Sequence, residues 1–451
     1  MLTPVIGAAS ENFTPPPARV RTFGKRTVGR PVVYGALVAF SWLYYYRPED
    51  FIPGLSYIPM AKITGLFAFL TLGFGLMSGA RTKIPLAVKL LWLLLFQMVM
   101  CIPFAIWRGG AFSTVADKYS KTVVVAMLIS MAVYTVAELR KLMWIQASAV
   151  ALVVFVSILL RNFHNGRLHG VQKSILENPN DLAINLAISF PLGMAFMLSA
   201  CGFKKIVWGV SLIFMAMGIV MTSSRSGLLA FILSFMICLW EYGVKGKRRH
   251  LIWVSVLSLG LGLAMALSSS HYRARVESIA LGNIAGSGDK GSLEARKTLL
   301  KKSIMTALTH PLFGVGPGCF PVLDKTWYVV HNSYTELAAE SGIPALVLFL
   351  MAIWAAFKNI AYVRKSTRYE DDPDFRLFIQ ALWAGLAAYV MGACFASTEY
   401  SLYPYFMVGY SCAMVRIVEE TEGVIAPSRN DASLARAKYD RFRRPQPAWS
   451  R

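Results

Sequence analysis

Residues 331–362 read HNSYTELAAESGIPALVLFLMAIWAAFKNIAY. From Ile343 onward this is an apolar run of about twenty residues, the length that crosses the ~30 Å hydrocarbon core of a bilayer as a helix. Before it stand a histidine, an asparagine and two carboxylates, Glu336 and Glu340. The apolar half decides the fold and the polar half raises the question of function.

Similar runs recur near 32–47, 62–79, 85–106, 121–138, 143–160, 181–200, 206–223, 226–243, 250–268, 376–396 and 402–418. With 343–362 they predict an all-α polytopic membrane protein of about twelve transmembrane helices. Of the 451 residues, 56% are hydrophobic and 16% charged, which excludes an ordinary soluble domain.

The net charge of +22 is spread over short clusters: Arg81/Lys83, Arg140/Lys141, Lys204/Lys205, Lys245 to Arg249, and Arg364/Lys365/Arg368. No continuous basic domain exists, so nucleic acid is not an expected partner, whereas membrane lipids are. Alternating the spans from a cytoplasmic N-terminus puts every one of these clusters on the cytoplasmic side. Residues 1–31 and 419–451 are then cytoplasmic basic tails, flanking spans one to nine (32–268) and ten to twelve (343–418).

Between them, residues 269–342 form one large outer loop that is itself basic, with Arg273, Arg275, Lys290, Arg296, Lys297, Lys301, Lys302 and Lys325. Its glycine-rich part, 282–291, is expected to be flexible. Leu293, Leu299, Leu300, Ile304 and Leu308 space an amphipathic helix over 293–308. His310-Pro311 ends it, and 314–318, GVGPG, is a tight turn region. A second outer loop, 161–181, carries Arg167 and the turn Asn178-Pro179-Asn180-Asp181, in which Asp181 is expected to cap the next helix. The six cysteines are scattered, with neither metal-ligand nor redox spacing.

Two features carry chemistry. Ser223-Ser224-Arg225-Ser226-Gly227 joins two spans with almost no loop, which holds Arg225 at the outer boundary, where a guanidinium is costly unless it faces a cavity or snorkels to head groups. Ser224, Ser226 and the Gly227 backbone suit phosphate oxygens. If the segment after His331 is helical, Thr335, Ala338 and Gly342 follow the histidine on one face while Glu336 and Glu340 form a second stripe. An imidazole accepts a proton from a hydroxyl nucleophile, and arginines hold an anionic leaving group. No aspartate-rich metal motif and no nucleotide-binding glycine loop appears. An outer-facing site therefore needs a donor that is lipid-borne and already activated.

The ordered set of SRSG at 224–227, Arg296, HPLFGVG at 310–316, HNSY at 331–334 and ESG at 340–342 resembles the O-antigen ligase and polymerase superfamily of bacterial envelope glycan assembly. The resemblance implies a GT-C type glycosyltransferase of the inner membrane, without metal or other cofactor. It would take a glycan from an undecaprenyl-diphosphate carrier and join it to a lipid, protein or glycan acceptor at the periplasmic face. Arg225 and Arg296 would bind the diphosphate, His331 would activate or orient the acceptor, and Arg167, in GRLHG before NPN, would bind the donor. Ser224, Ser226, Asn332 and Glu340 complete the candidate substrate-binding set, with Glu340 either orienting His331 or only supporting the helix packing. Thr298 and Leu299 stand where a tryptophan commonly follows the loop arginine, which leaves Arg273 and Arg275 as alternatives to Arg296. Ligase and polymerase share these motifs. The alternatives from other classes are a transporter or flippase of lipid-linked glycans and a non-enzymatic export partner.

Overall fold

The computed structural model describes residues 30–48, 60–77, 84–164, 166–171, 176–249, 287–323 and 328–425. In chain order the helices are α1 (Arg30–Tyr46), α2 (Met60–Met77), α3 (Leu86–Cys101), α4 (Arg108–Ser113), α5 (Ser120–Ala132), α6 (Val136–Leu159), α7 (Pro179–Ser199), α8 (Phe203–Met221) and α9 (Arg225–Cys238). They continue with α10 (Ser287–Thr309), α11 (Phe320–Leu323), α12 (Ser333–Val363), α13 (Thr367–Asp371), α14 (Pro373–Ala393) and α15 (Tyr403–Ile425). A wider π-type turn joins α4 to α5, and another extends α9 to Lys245. The chain is an all-α polytopic membrane protein; among the described residues the one departure from helix and loop is a hairpin of two-residue strands, Phe163–His164 against Arg167–Leu168.

Among the described residues seven helical stretches are long and apolar enough to cross a bilayer: Leu86–Phe104, Val136–Leu159, Pro179–Ser199, Phe203–Met221, Arg225–Lys245, Ser333–Val363 and Pro373–Ala393. The expected spans at 32–47, 62–79 and 402–418 coincide with α1, α2 and α15, whereas the one at 121–138 covers α5 but runs past its end at Ala132 into the start of α6. The expected span at 250–268, Arg273, Arg275 and most of both tails lie outside the described residues.

α7 is the axis of the bundle. Every residue from Leu182 to Phe196 is buried, as expected of a helix apolar on all sides, and α6, α8, α9 and α14 pack round it. Close approach is made by small residues: a methyl group at Gly227 of α9 would collide with Ala183, and one at Gly392 of α14 would press on Ile184 at 3.1 Å. Gly227, Ala183, Ile184 and Gly392 all lie toward one end, so the start of α9, the start of α7 and the end of α14 meet there.

The structure corrects several sequence expectations. α12 starts at Ser333, ten residues before the apolar run, because Asn332 caps it by accepting from the Tyr334 and Thr335 amides at 3.1 and 3.0 Å. The boundary drawn at residue 342 instead falls on a break inside that helix: Gly342 has φ 82°, and a side chain there would strike the Leu312 carbonyl. The Ile343 amide leaves the helix ladder and donates to Pro311 O at 2.7 Å, while Gln97 Nε2 donates to Leu312 O at 2.7 Å. The HPLFGVG segment thus wraps the kink. Asn178, not Asp181, caps α7, its side chain accepting from the Asn180 amide. Residues 287–291 of the glycine-rich stretch are helical, as the first turn and more of α10. The face of α10 that packs inward is Leu299, Ser303, Thr306 and Ala307, whereas Ile304 and Leu308 are exposed.

Candidate functional site

The residues singled out in the sequence gather at one end of the bundle, in two stitched clusters. The first is built on the turn between α8 and α9. Ser223 takes a left-handed backbone, φ 52°, so that α8 ends and α9 begins without a loop. Ser224 caps α9, its hydroxyl accepting from the Gly227 amide at 3.3 Å. That hydroxyl also donates to Asn180 Oδ1 at 3.0 Å and lies 3.0 Å from the Ser226 hydroxyl. Arg167, presented by the hairpin, donates through Nε to Thr222 O and through Nη2 to Asn180 Oδ1, both at 2.9 Å. Arg167, Asn180, Ser224 and Ser226 are therefore one network. Arg225 follows as the first helical residue of α9 and is exposed, although Ser224 and Ser226 on either side are buried.

The second cluster is built on His331. Its backbone is left-handed, φ 60°, a conformation uncommon outside glycine and one that surrounding bonds must hold. They are present on both sides. The His331 amide donates to Ser397 Oγ at 3.0 Å, and Ser397 in turn donates to the Glu336 carboxylate, which also accepts from the Val330 amide at 3.1 Å. Asn332 Nδ2 donates to Cys394 O at 2.9 Å, Ser333 Oγ to Ala396 O at 2.7 Å, and the Thr398 amide to Ser333 Oγ at 2.8 Å. Residues 331–333 are thereby sewn to the loop between α14 and α15.

Glu340 has no exposure, and its carboxylate is fully engaged in bracing the turn. It accepts from the Gly318 amide at 2.7 Å, the Phe320 amide at 3.0 Å and the Tyr400 hydroxyl at 2.6 Å. Of the two roles open for Glu340, this conformation displays the packing one. Glu336, through Ser397, is the carboxylate connected to the histidine. Glu399 is also buried, and burial, followed by the Glu340 charge, holds its carboxyl well above the usual carboxylate range.

Arg296 is brought to His331 by α10. Leu299, one turn along that helix, is buried with Phe320, Val330 and Ala339, which frame the histidine segment. Burial and the Arg296 guanidinium together push the His331 imidazole down to about 4. It is neutral at pH 7, and among the described residues its ring makes no hydrogen bond, so a ring nitrogen is available to a hydroxyl group. The same electrostatics gives the histidine a reason to change. An anion drawn to Arg296 offsets the positive field and raises the proton affinity of the ring.

Ser397, Glu399 and Tyr400 were not among the residues read from the sequence. Their signal was a carboxylate and three hydroxyls, STEY at 397–400, interrupting two closely spaced apolar runs, where polar groups are costly and seldom idle.

Comparison with known proteins bears on this end of the molecule. Residues 210–350 match the family described as O-antigen ligase. The matched segment begins in α8, contains the Ser224–Gly227 turn, Arg296, His310 to Gly316, His331 and Glu340, and ends inside α12. The O-antigen ligase superfamily is the one this chain resembles. The exopolysaccharide production protein ExoQ of Rhizobium meliloti (strain 1021) is 23% identical over 289 residues, which are 59% of this chain and 64% of that protein. The chain thus spans slightly less than two thirds of that curated relative. The O-antigen ligase match leaves out Arg167 and the 394–402 loop, which the fold adds to the same end.

Proposed function

We propose that the chain transfers a glycan from an undecaprenyl-diphosphate carrier to an acceptor hydroxyl, at the periplasmic face of a bacterial inner membrane. The O-antigen ligase match and the exopolysaccharide relative support a polysaccharide ligase or polymerase role. The observation that carries the finer reading is the meeting of Arg296 with a neutral, half-buried His331 at the bundle end that also holds the Ser224–Gly227 turn.

In this reading the acceptor O–H gives its proton to the His331 imidazole as its oxygen attacks the anomeric carbon. The bond from that carbon to the diphosphate oxygen breaks, and the lipid diphosphate leaves as an anion beside Arg225 and Arg296. Fixed guanidinium charges in a low-dielectric site stabilise that developing charge, a role that needs no divalent cation. Asn332 and Glu336 act on the acceptor side by holding His331 in place. Arg167 and Ser224 act on the donor side by fixing the turn that presents Arg225. The basic clusters support the orientation: Arg140, Lys204 and Lys205, Lys245 and Arg364 all lie at the end opposite His331, as cytoplasmic residues should.

The lipid-linked species that accumulates on deletion of the gene tests the proposal. Full-length polymer on its carrier at the outer leaflet identifies a ligase, and single repeat units identify a polymerase. Accumulation confined to the cytoplasmic leaflet contradicts both and favours a flippase.

A further inference from the structure

The other end of the bundle holds a second polar cluster that glycan transfer does not use. Glu241, in the π-type extension of α9, is 5% exposed and accepts at Oε1 from Lys245 at 3.3 Å and from Arg364 Nη1 at 3.2 Å. Its other oxygen accepts from Gln380 Nε2 at 3.3 Å, and Gln380 also donates to the Tyr369 hydroxyl at 3.3 Å. The Tyr242 hydroxyl beside it donates to Leu377 O at 2.8 Å, and Arg248 acts electrostatically on that hydroxyl. Two cations, Lys245 and Arg364, therefore meet on one carboxylate, with Arg248 acting on the neighbouring Tyr242.

The donors do not balance. Arg364 uses only Nη1 on Glu241, while its Nε and Nη2 are buried and have no acceptor among the described residues. Nε and Nη2 form the side-on edge of a guanidinium, the pair of parallel N–H groups that matches two oxygens of a phosphate. The Arg364 guanidinium carbon lies over the Trp383 ring, 5.0 Å from its centroid, a contact that leaves the edge unoccupied. Arg248 Nη1 is a second buried donor without an acceptor among the described residues. Buried N–H groups left without partners are costly, so an acceptor beyond the described residues accounts for this edge better than an idle one.

Location selects the ligand. Trp240 is exposed near this end, with Lys245 5.9 Å from its ring centroid, an aromatic and basic pair of the kind that marks a membrane–water interface. We propose that Arg364 and Arg248, with Lys245, form a binding site for the phosphate of an anionic phospholipid in the leaflet opposite the His331 site. The assignment does not rest on glycan transfer. It ties α9, α12 and α14, the helices that carry Arg225, His331 and the 394–402 loop at the far end, to one lipid.

The test uses the full-length protein, purified and stripped of lipid in detergent, with bound lipid counted by native mass spectrometry and stability followed by Tm. Titration with phosphatidylglycerol is expected to show one saturable high-affinity adduct and a rise in Tm, and phosphatidylcholine a weak one. Arg364→Lys keeps a charge on Glu241 but loses the side-on edge, and Arg248→Gln leaves the Glu241 pairs intact. Each is expected to weaken phosphatidylglycerol binding by about tenfold or more. Arg248→Gln should leave the lipid-free Tm unchanged, which guards against a folding defect. Saturable stabilisation by inorganic phosphate with no lipid adduct would overturn the lipid assignment in favour of a soluble phosphate. Equal phosphatidylglycerol affinity in wild type and both variants would overturn the site.

Discussion

Ser397→Ala isolates the backbone of His331 from its side chain. The mutation deletes the acceptor of the His331 amide and the donor to Glu336 in one step, while Glu336 retains the Val330 amide. A left-handed backbone at a residue other than glycine costs about 1–3 kcal/mol, and a donor left without its partner about 1–3 kcal/mol more when buried. The His331 amide is only part-buried, so a net bias of about 2 kcal/mol against the observed conformation is the reasonable figure. If only that conformation aims the imidazole at the acceptor, kcat/KM falls roughly thirtyfold. The assay is release of polyprenyl diphosphate from a lipid-linked donor by protein in proteoliposomes. In a His331→Ala background Ser397→Ala should cost nothing further, because its effect passes through the histidine. Wild-type kcat/KM in Ser397→Ala, or a full thirtyfold loss added to that of His331→Ala, would refute the reasoning.

Three further outcomes are expected. Gly342→Ala places a side chain at φ 82° against the Leu312 carbonyl and should lower Tm and abundance, at a cost of more than about 1–2 kcal/mol, measured by thermal unfolding in detergent. In the pH dependence of kcat/KM, the acid limb should lie below the ordinary histidine value of 6.5, because burial and Arg296 lower the folded-state pKa to about 4 and the neutral ring is the working form. Activity is then retained as pH falls through 6.5 and lost only as the folded pKa is approached; Arg296→Gln should move that limb upward, and an unmoved limb would contradict the pairing. Arg167→Ala removes two charge-assisted bonds, to Thr222 O and Asn180 Oδ1, each worth about 1.5–3 kcal/mol. It should loosen the turn that presents Arg225 and raise KM for the lipid-linked donor more than it lowers kcat.

The membrane architecture was legible because bilayer thickness imposes a length on every apolar run, and α3, α6, α7, α8 and α14 begin within a few residues of the expected positions, except α6, which Thr135 and Glu138 start earlier with a capping box. The candidate site was legible only as residue types in order, Arg225 before Arg296 before His331. Its connections were not. Hydropathy could not show that Ser333 rather than Ile343 opens α12, since a polar first turn of a membrane helix reads as the end of a loop. Nor could it show that the glycine directly before the apolar stretch carries a kink closed by Pro311 and Gln97, because those bonds join segments far apart in the chain. Ser397, Glu399 and Tyr400 were passed over for the same reason: a short loop between two spans has no periodicity, and its role appears only once α12 is laid beside it.

The most direct measurement compares purified wild type and His331→Ala, supplied with a polyprenyl-diphosphate-linked glycan and acceptor, for transferred glycan and released polyprenyl diphosphate. The account predicts equal amounts of both products from wild type, and a rate lower by about 10²–10⁴ in His331→Ala at unchanged Tm. Wild-type turnover by the folded His331→Ala protein would contradict it.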